Sequence, residues 1–338
     1  MRFRPEQLID ELYGPPKKEG QKRLEDFKKK NIPKPERPKT AEILEAAERK
    51  AREMSEKLNQ RAQEFKLNKD YKIETPQNIP AWLTPEHLES LNEIFGQNNL
   101  ELYPIPSPET LDNDYLTIMY PESQRKEDQT KGLISYRPPL WNNQSDQTVT
   151  KSKETWGQAY ARSMRAELEK LQNSLILIES IQKPNYIDGS QHYGEKEGTN
   201  SKLDLLLPAF QETFGQDQNR FNHSHDELSQ NLLPKVKEKI LKIFQEKNLP
   251  FSENDFEVIL TPAPLFNLQT TFYHPENSQT NTWEWTATPL EDAKGRDSGH
   301  RLVVGSSDLG GVAYVANDHR GNHWDDRGAR LAVVFSQS

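Results

Sequence analysis

The chain has 338 residues, room for one large domain or two ordinary ones, but a hydrophobic content of 33% and a mean hydropathy of −0.95 leave too little apolar material to build a core along its whole length. It contains no cysteine, which excludes disulfide staples, thiolate nucleophiles and cysteine-ligated metals. No run of about 18 apolar residues exists to span a bilayer, and Met1 to Glu6 lack the apolar run of a signal peptide, so a soluble, cytoplasmic protein without membrane insertion is expected.

The net charge of −8 is unevenly distributed: residues 1–70 carry 19 Lys and Arg against 14 Asp and Glu, and the remaining 268 residues carry 25 against 38. An acidic body disfavours broad contact with a phosphate backbone, so nucleic acid is not the expected partner. The basic arm leaves one such reading open, an adaptor that binds nucleic acid. Residues 1–40 alternate lysine runs with Pro15, Pro16, Pro33, Pro35 and Pro38 and read as a linker with a short helix at most. Ala41 to Lys66 reads as a helix capped by Thr40, with Ile43, Leu44, Ala47, Ala51, Met54, Leu58 and Phe65 in a thin apolar stripe. That stripe can pack on the body or support self-association through residues 41–66.

The body is expected to begin near Ile79. Thr84-Pro85-Glu86 opens a helix through Phe95, closed by Gly96. Tyr115–Tyr120 and Gly132–Tyr136 are strand candidates. Trp156 to about Ile181 reads as one long helix with Trp156, Tyr160, Met164, Leu168 and Leu171 on one face. Leu203–Phe214 reads as a short apolar helix and Asp226–Lys247 as a longer one, disturbed early by Pro234. From Phe256 the texture becomes β-type, with runs at Phe256–Leu260, Leu265–Tyr273, Trp283–Thr288, Leu302–Val304, Val312–Val315 and Arg330–Phe335. The fold class that follows is α+β. It divides into a charged, partly disordered arm with one helix at 1–75, a mixed region at 76–255 that packs with or begins the last domain, and a β-rich part at 256–338.

Several constellations in the last third could carry chemistry. His319 and His323 stand four apart, with Asp318, Asp325 and Asp326 nearby, and would face one metal if the segment were helical. Gly321 between them and the missing glutamate of a His-Glu-x-x-His motif count against it. A metal-dependent enzyme using this cluster is kept as an alternative. His223-Ser224-His225-Asp226 reads as a loop entering a helix, with Ser224 or Asp226 as cap. Gly305 and Gly310-Gly311 lack the Lys-Ser/Thr of a phosphate loop and read as turns. Ser306 or Ser307 with His300 and Asp308 lacks a nucleophile elbow. Alternation along a strand puts Trp283 and Trp285 on the same face. Trp324 lies inside a cluster of Asn, Asp, His, Arg and Tyr, the side-chain mixture of a recognition surface.

These segments resemble the formylglycine-generating-enzyme type of C-type lectin fold. The resemblance rests on Trp283-Glu284-Trp285-Thr286, then Arg301-Leu302-Val303-Val304-Gly305-Ser306-Ser307, then the closing Gly328-Ala329-Arg330-Leu331-Ala332-Val333, where Ala329 replaces the usual aromatic. A closer likeness is to the variable proteins of diversity-generating retroelements, across Leu260 to Asn267, His274-Pro275-Glu276, Thr280 to Trp285 and the closing strand. The resemblance implies a C-terminal C-type lectin-like fold preceded by a mixed helical region and the charged arm. It implies a protein that binds a ligand, most simply another protein, without catalysis, cofactor or metal. In that family, adenine-directed rewriting of the gene's 3′ end turns Asn codons into Asp, His, Tyr, Ser, Gly and Arg. Tyr314, Asn317, Asp318 and His319 have that flavour, as do Arg320, Asn322, Asp326 and Arg327. Trp324 cannot arise from an Asn codon that way and reads as fixed scaffold within the same surface, which also includes His323. The formylglycine reaction itself relies on an active-site cysteine, which this chain lacks.

Overall fold

A computed structural model of the chain describes residues 39–76, 79–97, 99–112, 115, 156–181, 185–187, 190–192, 206–216, 218–278, 280–292, 294–305 and 314–336. The first helix, α1 (Lys39–Glu64), follows the predicted stripe: Ile43, Ala47, Ala51, Met54, Leu58 and Ala62 recur at three- and four-residue spacing and are all buried. The helix lies against strand β1 (Leu100–Pro104). Lys39–Ser338 forms one compact unit, so the helix assigned to an arm over 1–75 belongs to the body. Self-association through residues 41–66 loses its physical basis, because the chain's own core covers the apolar face it would use. Helix α2 (Pro85–Phe95) starts as expected, with Pro85 in the first turn, the Thr84 N–H donating to His87 Nδ1 (3.1 Å) and Gly96 closing it at φ 93°.

Helix α3 (Trp156–Leu171) is shorter than predicted. Asn173 adopts a left-handed conformation (φ 63°) that ends it, and Leu175–Glu179 becomes strand β2. The run Leu-Ile-Leu-Ile continues the helix's apolar spacing in sequence, but it is paired on both edges, and that pairing outweighs local preference. After the short hairpin β3 (Asn185–Ile187) and β4 (Ser190–His192) come α4 (Leu207–Phe214) and α5. The latter is a continuous run of His225–Glu227, a π turn at Leu228–Leu232 and Leu233–Glu246. Ser224 caps it: its Oγ accepts from the Glu227 N–H (3.2 Å), while Glu227 Oε2 accepts from the Ser224 N–H (3.0 Å). The π turn sits just before Pro234, which has no N–H to give the helical ladder.

Strand β5 (Phe256–Leu260) matches its prediction. The expected strand Leu265–Tyr273 is instead helix α6 (Ala263–Phe272), followed by the short α7 (Pro275–Ser278). Ala263 to Thr270 are all buried, polar Asn267, Gln269 and Thr270 included, so α6 has no solvent-facing stripe against which a helical period would stand out. The remaining strands are β6 (Trp283–Glu291), β7 (Asp297–Gly305), β8 (Tyr314–His319), β9 (Arg327–Ala329) and β10 (Leu331–Phe335). Of the strand predicted at Val312–Val315, Val312 and Ala313 lie outside the described residues, and from Tyr314 the strand runs to His319. The strand candidate at Gly132–Tyr136 lies outside the described residues, as does that at Tyr115–Tyr120 apart from the buried Tyr115.

The architecture is mixed α+β. One sheet has the order β1-β2-β10-β5 and is antiparallel throughout; the second has the order β8-β7-β6-β9, with only β6 and β9 parallel. The first sheet is buried on both faces. Ile176, Ile178, Ala332 and Val334 face a core with Met54, Leu58, Tyr160, Met164 and Phe266; Leu175, Leu177, Val333 and Phe335 face another with Leu91, Phe95, Ile240 and Phe244. Burial on both sides explains why Leu175–Ile178 and Leu331–Phe335 are continuous apolar runs. Because β9 and β10 are separated by Arg330 alone, the chain passes directly from the second sheet into the first. No helix among the described residues is long and apolar enough to cross a membrane.

Candidate binding surface

The surface begins at the place where the two sheets meet, and a buried ionic bridge fixes that place. Arg330 is 1% exposed and reaches Glu284 on β6 through Nε and Nη2 (2.9 and 3.0 Å), and its Nη1 donates to the Glu179 and Ile181 carbonyls (2.7 and 3.0 Å). Arg220 binds both oxygens of Glu179 (2.8 and 2.9 Å) and donates to the Ala329 carbonyl (3.0 Å). Glu179 also accepts the Leu331 N–H (2.7 Å). Carboxylates paired bidentately with guanidinium groups that also bond backbone carbonyls are the form in which charge survives burial. Gly328 is required in the same region: a Cβ there would lie 2.9 Å from the Phe221 ring.

From this anchor the segment 314–329 is held outward. β8 is the edge strand of the second sheet, and its register sets Asn317 opposite Leu302, Asp318 opposite Arg301 and His319 opposite His300. The turn after it is tied down by backbone bonds. Arg320 donates its N–H to the Gly299 carbonyl (3.1 Å), and Asn322 donates to that of His319 (3.0 Å). Arg327 donates its N–H to the carbonyl of Trp324 (3.1 Å), and Trp283 on β6 donates to that of Asp326 (2.8 Å). Residues 317–319, beyond the strand run expected at Val312–Val315, are therefore strand residues, and the loop proper is 320–326.

The predicted residues divide into two layers. Asn317 donates to the Tyr160 hydroxyl of α3 (2.7 Å), and Asn322 donates to Asp318 Oδ1 (2.7 Å). Asp318 and Arg327 form an ion pair, each side chain 15% exposed. The Arg327 guanidinium lies over Trp285 (5.3 Å) and Trp324 (5.1 Å), and burial lowers its pKa to about 10. Asn317, Asp318, Asn322 and Arg327 thus brace the surface. His319, Arg320 and His323 are exposed, and Trp324, at 48%, is the only exposed large apolar side chain among the described residues. Asp326 is half-buried beneath them. Tyr314 opens β8; its side chain lies outside the described residues.

The rim includes residues that the sequence did not mark as binding residues. The start of α5 abuts the turn: Asp226 donates its N–H to the Arg320 carbonyl (3.1 Å), and its carboxylate lies 3.4 Å from Arg320 Nε. His323 Nδ1 donates to the Asn222 carbonyl (3.1 Å), and its Nε2 lies 3.4 Å from Glu227. The His319 ring meets His300 edge-on at 5.5 Å. Ser224-x-x-Glu227 was readable as a cap, but no local signal places it beside residue 320. His225 is buried below, its ring edge-on to Trp285 (6.1 Å). Burial, then the Arg301 and Arg320 charges, push its pKa down to about 3.

His319 and His323 turn in different directions, one to His300 and the other to α5. Among the described residues, no three His, Cys, Asp or Glu side chains are placed to hold a metal ion. Of the other constellations, Ser306, Ser307, Asp308 and Gly310-Gly311 lie outside the described residues, as does the basic stretch 1–38; Gly305 ends strand β7 at φ 124°. Compared with known proteins, the chain matches no protein-family model, no curated protein and no solved structure.

Proposed function

We propose that the chain is a non-catalytic ligand-binding protein whose C-terminal segment displays a diversifiable surface, a variable protein of the retroelement kind on a C-type lectin-like fold. The observation that carries this reading is the layering of residues 317–327. An exposed Trp324 stands among His319, Arg320 and His323, above side chains that are paired with one another and a frame that is buried. An aromatic anchor with a polar, adaptable rim is the composition from which protein-recognition sites draw contact energy. Outward side chains on a frame they do not stabilise can change without unfolding it.

The adjacency of the three segments that carry the lectin resemblance supports the reading further. Trp283-Glu284-Trp285 lies on β6, between Val303-Val304-Gly305 of β7 and Arg327-Gly328-Ala329 of β9. The ligand is another protein, bound across the His319–Trp324 edge. The deciding experiment is to sequence the surroundings of the gene. A near-copy of the stretch encoding residues 314–327, differing at adenines and adjoining a reverse-transcriptase gene, is expected. A complete neighbourhood without both removes the diversification reading.

A further inference from the structure

A second polar site lies on different elements and does not rest on that reading. One face of α1 (Ala46, Arg49, Lys50 and Glu53) overhangs Glu101 and Leu102 of β1 and the Tyr273-His274 turn after α6, enclosing a cleft of about 390 Å³ that opens to solvent. This is within the volume range of small-molecule pockets.

The charges in and beside the cleft are unequally satisfied. Glu101 accepts the Tyr103 hydroxyl on Oε2 (2.6 Å) and meets His274 Nε2 with Oε1 (2.7 Å). The other ring nitrogen of His274 meets Glu276 (3.0 Å). Burial opposes protonation of this ring, but carboxylates at both nitrogens outweigh it, raising its pKa and favouring the imidazolium. The same contacts, with the Lys50 charge, hold Glu101 ionised down to about pH 2. Glu53 lies 3.7 Å from Lys57. All three carboxylates therefore already face a cation.

The donors are not so served. The Lys50 side chain is 18% exposed, and its ammonium sits 3.4 Å from the Tyr273 ring centroid and 4.7 Å from that of Tyr103. Its nearest carboxylate oxygen is 4.0 Å away on Glu101, beyond hydrogen-bond range. Desolvation lowers its pKa. The Tyr273 hydroxyl is shielded from solvent and makes no hydrogen bond among the described residues. A lysine serving only to staple α1 to β1 would spend its N–H groups on Glu101; this one holds them over aromatic faces at the cleft wall.

We propose that the cleft binds a small oxyanion, a carboxylate or phosphate on a compact organic body, with Lys50 and Arg49 as its cationic partners. Ala46, Leu102 and the Tyr273 ring take the apolar part. The two possible ligand chemistries share one test. The full-length protein is treated with limiting acetic anhydride, and acetylation of each lysine is followed by peptide mass spectrometry. Inorganic phosphate or succinate is added, with sodium chloride at matched ionic strength as reference. Lys50 is expected to be protected by about fivefold or more, as occupancy of a simple site demands, while the exposed Lys72 and Lys242 react at unchanged rates. Protection by succinate alone identifies a carboxylate site, by phosphate alone a phosphate site, and by both a general oxyanion site. Protection by neither beyond chloride overturns the proposal. Calorimetric titration with the protecting anion gives the second readout. Lys50→Met is expected to weaken binding about tenfold, the worth of one charge-assisted hydrogen bond. Arg49→Gln, at an exposed position, weakens it less and serves if Lys50→Met does not fold. Unchanged affinity in both variants, or in Arg49→Gln when Lys50→Met cannot be measured, also overturns it.

Discussion

Within one stretch of the chain, the loop 320–326 and the closing residues 328–335 use charge in opposite ways. In the first, Arg320 and His323 meet Asp226 and Glu227 at 3.4 Å in solvent, where such pairs are worth little. In the second, Arg330 is sealed between the two sheets with every guanidinium nitrogen hydrogen-bonded. A pair at the surface can be exchanged for another without consequence, whereas a buried one can lose neither member alone. The contrast explains how a face open to change can be continuous with a framework that is not.

The sharpest way to break that comparison is at the buried bridge. Glu284→Gln or Arg330→Met strands the partner's charge in the interior and is expected to cost about 3–5 kcal/mol in urea unfolding. The double change Glu284→Leu with Arg330→Met is expected to recover much of that loss, because no charge is left unpaired. If the single variants cost no more than a surface pair, the bridge is not what fixes the junction of the sheets.

Next in size is the bracing layer. Arg327→Ala leaves Asp318 without its cation at a site only partly open to water and is expected to destabilise by about 2 kcal/mol, below the cost at a sealed site. Asp318→Asn is expected to cost a similar amount, and the double variant much less than the sum.

The histidines sharpen the comparison through pH. His225 has a folded-state pKa of about 3 against an ordinary 6.5, so the folded protein resists a proton that the unfolded chain accepts. Its contribution to stability is full above pH 6.5 and is lost as pH falls through 6.5 towards 3, by about 1.4 kcal/mol for each unit below 6.5. His274 has the opposite sign. Its pKa is raised, so its contribution is full below 6.5 and disappears as pH rises through the folded value. Denaturation curves of His225→Gln and His274→Gln, each subtracted from the parent between pH 5 and 8, should therefore slope in opposite directions. Parallel difference curves would contradict the assigned environments.

Much of the framework was legible in the sequence. The α1 stripe, the Thr84-Pro85 start and Gly96 stop of α2, the Ser224 cap and strands β5, β6, β7 and β10 all followed from local pattern. What failed did so where burial erased the pattern. Leu175–Glu179 carries the apolar spacing of the preceding helix, and only pairing with β1 and β10 makes it a strand. Helix α6 buries polar and apolar side chains alike over Ala263 to Thr270, so no exposed stripe marks its period. The polar cluster at 317–327 was legible as a surface, but its two layers were not. That Asn317 reaches Tyr160, and that Asp226 and Asn222 reach the turn, depends on contacts between distant parts of the chain.

The smallest expected effect is also the one that tests the layers directly, and it needs no knowledge of the ligand. Single changes to alanine at His319, Arg320 or His323 are expected to shift stability by about 0.5 kcal/mol or less, the usual range for exposed positions. Trp324→Ala is expected to add the loss of one exposed contact with Arg327, about 0.5–1 kcal/mol. Two libraries extend the comparison: one randomised at 319, 320 and 323, the other at 318 and 327. Both are displayed as full chains and exposed to protease at rising temperature. The first should survive nearly as well as the parent, because its side chains bear no part of the frame. The second should lose most members, since few residue pairs replace a half-buried carboxylate and guanidinium lying over two tryptophans. Equal survival of the two would mean that the division between supporting and outward residues has no energetic content, and a surface without that division could not vary freely.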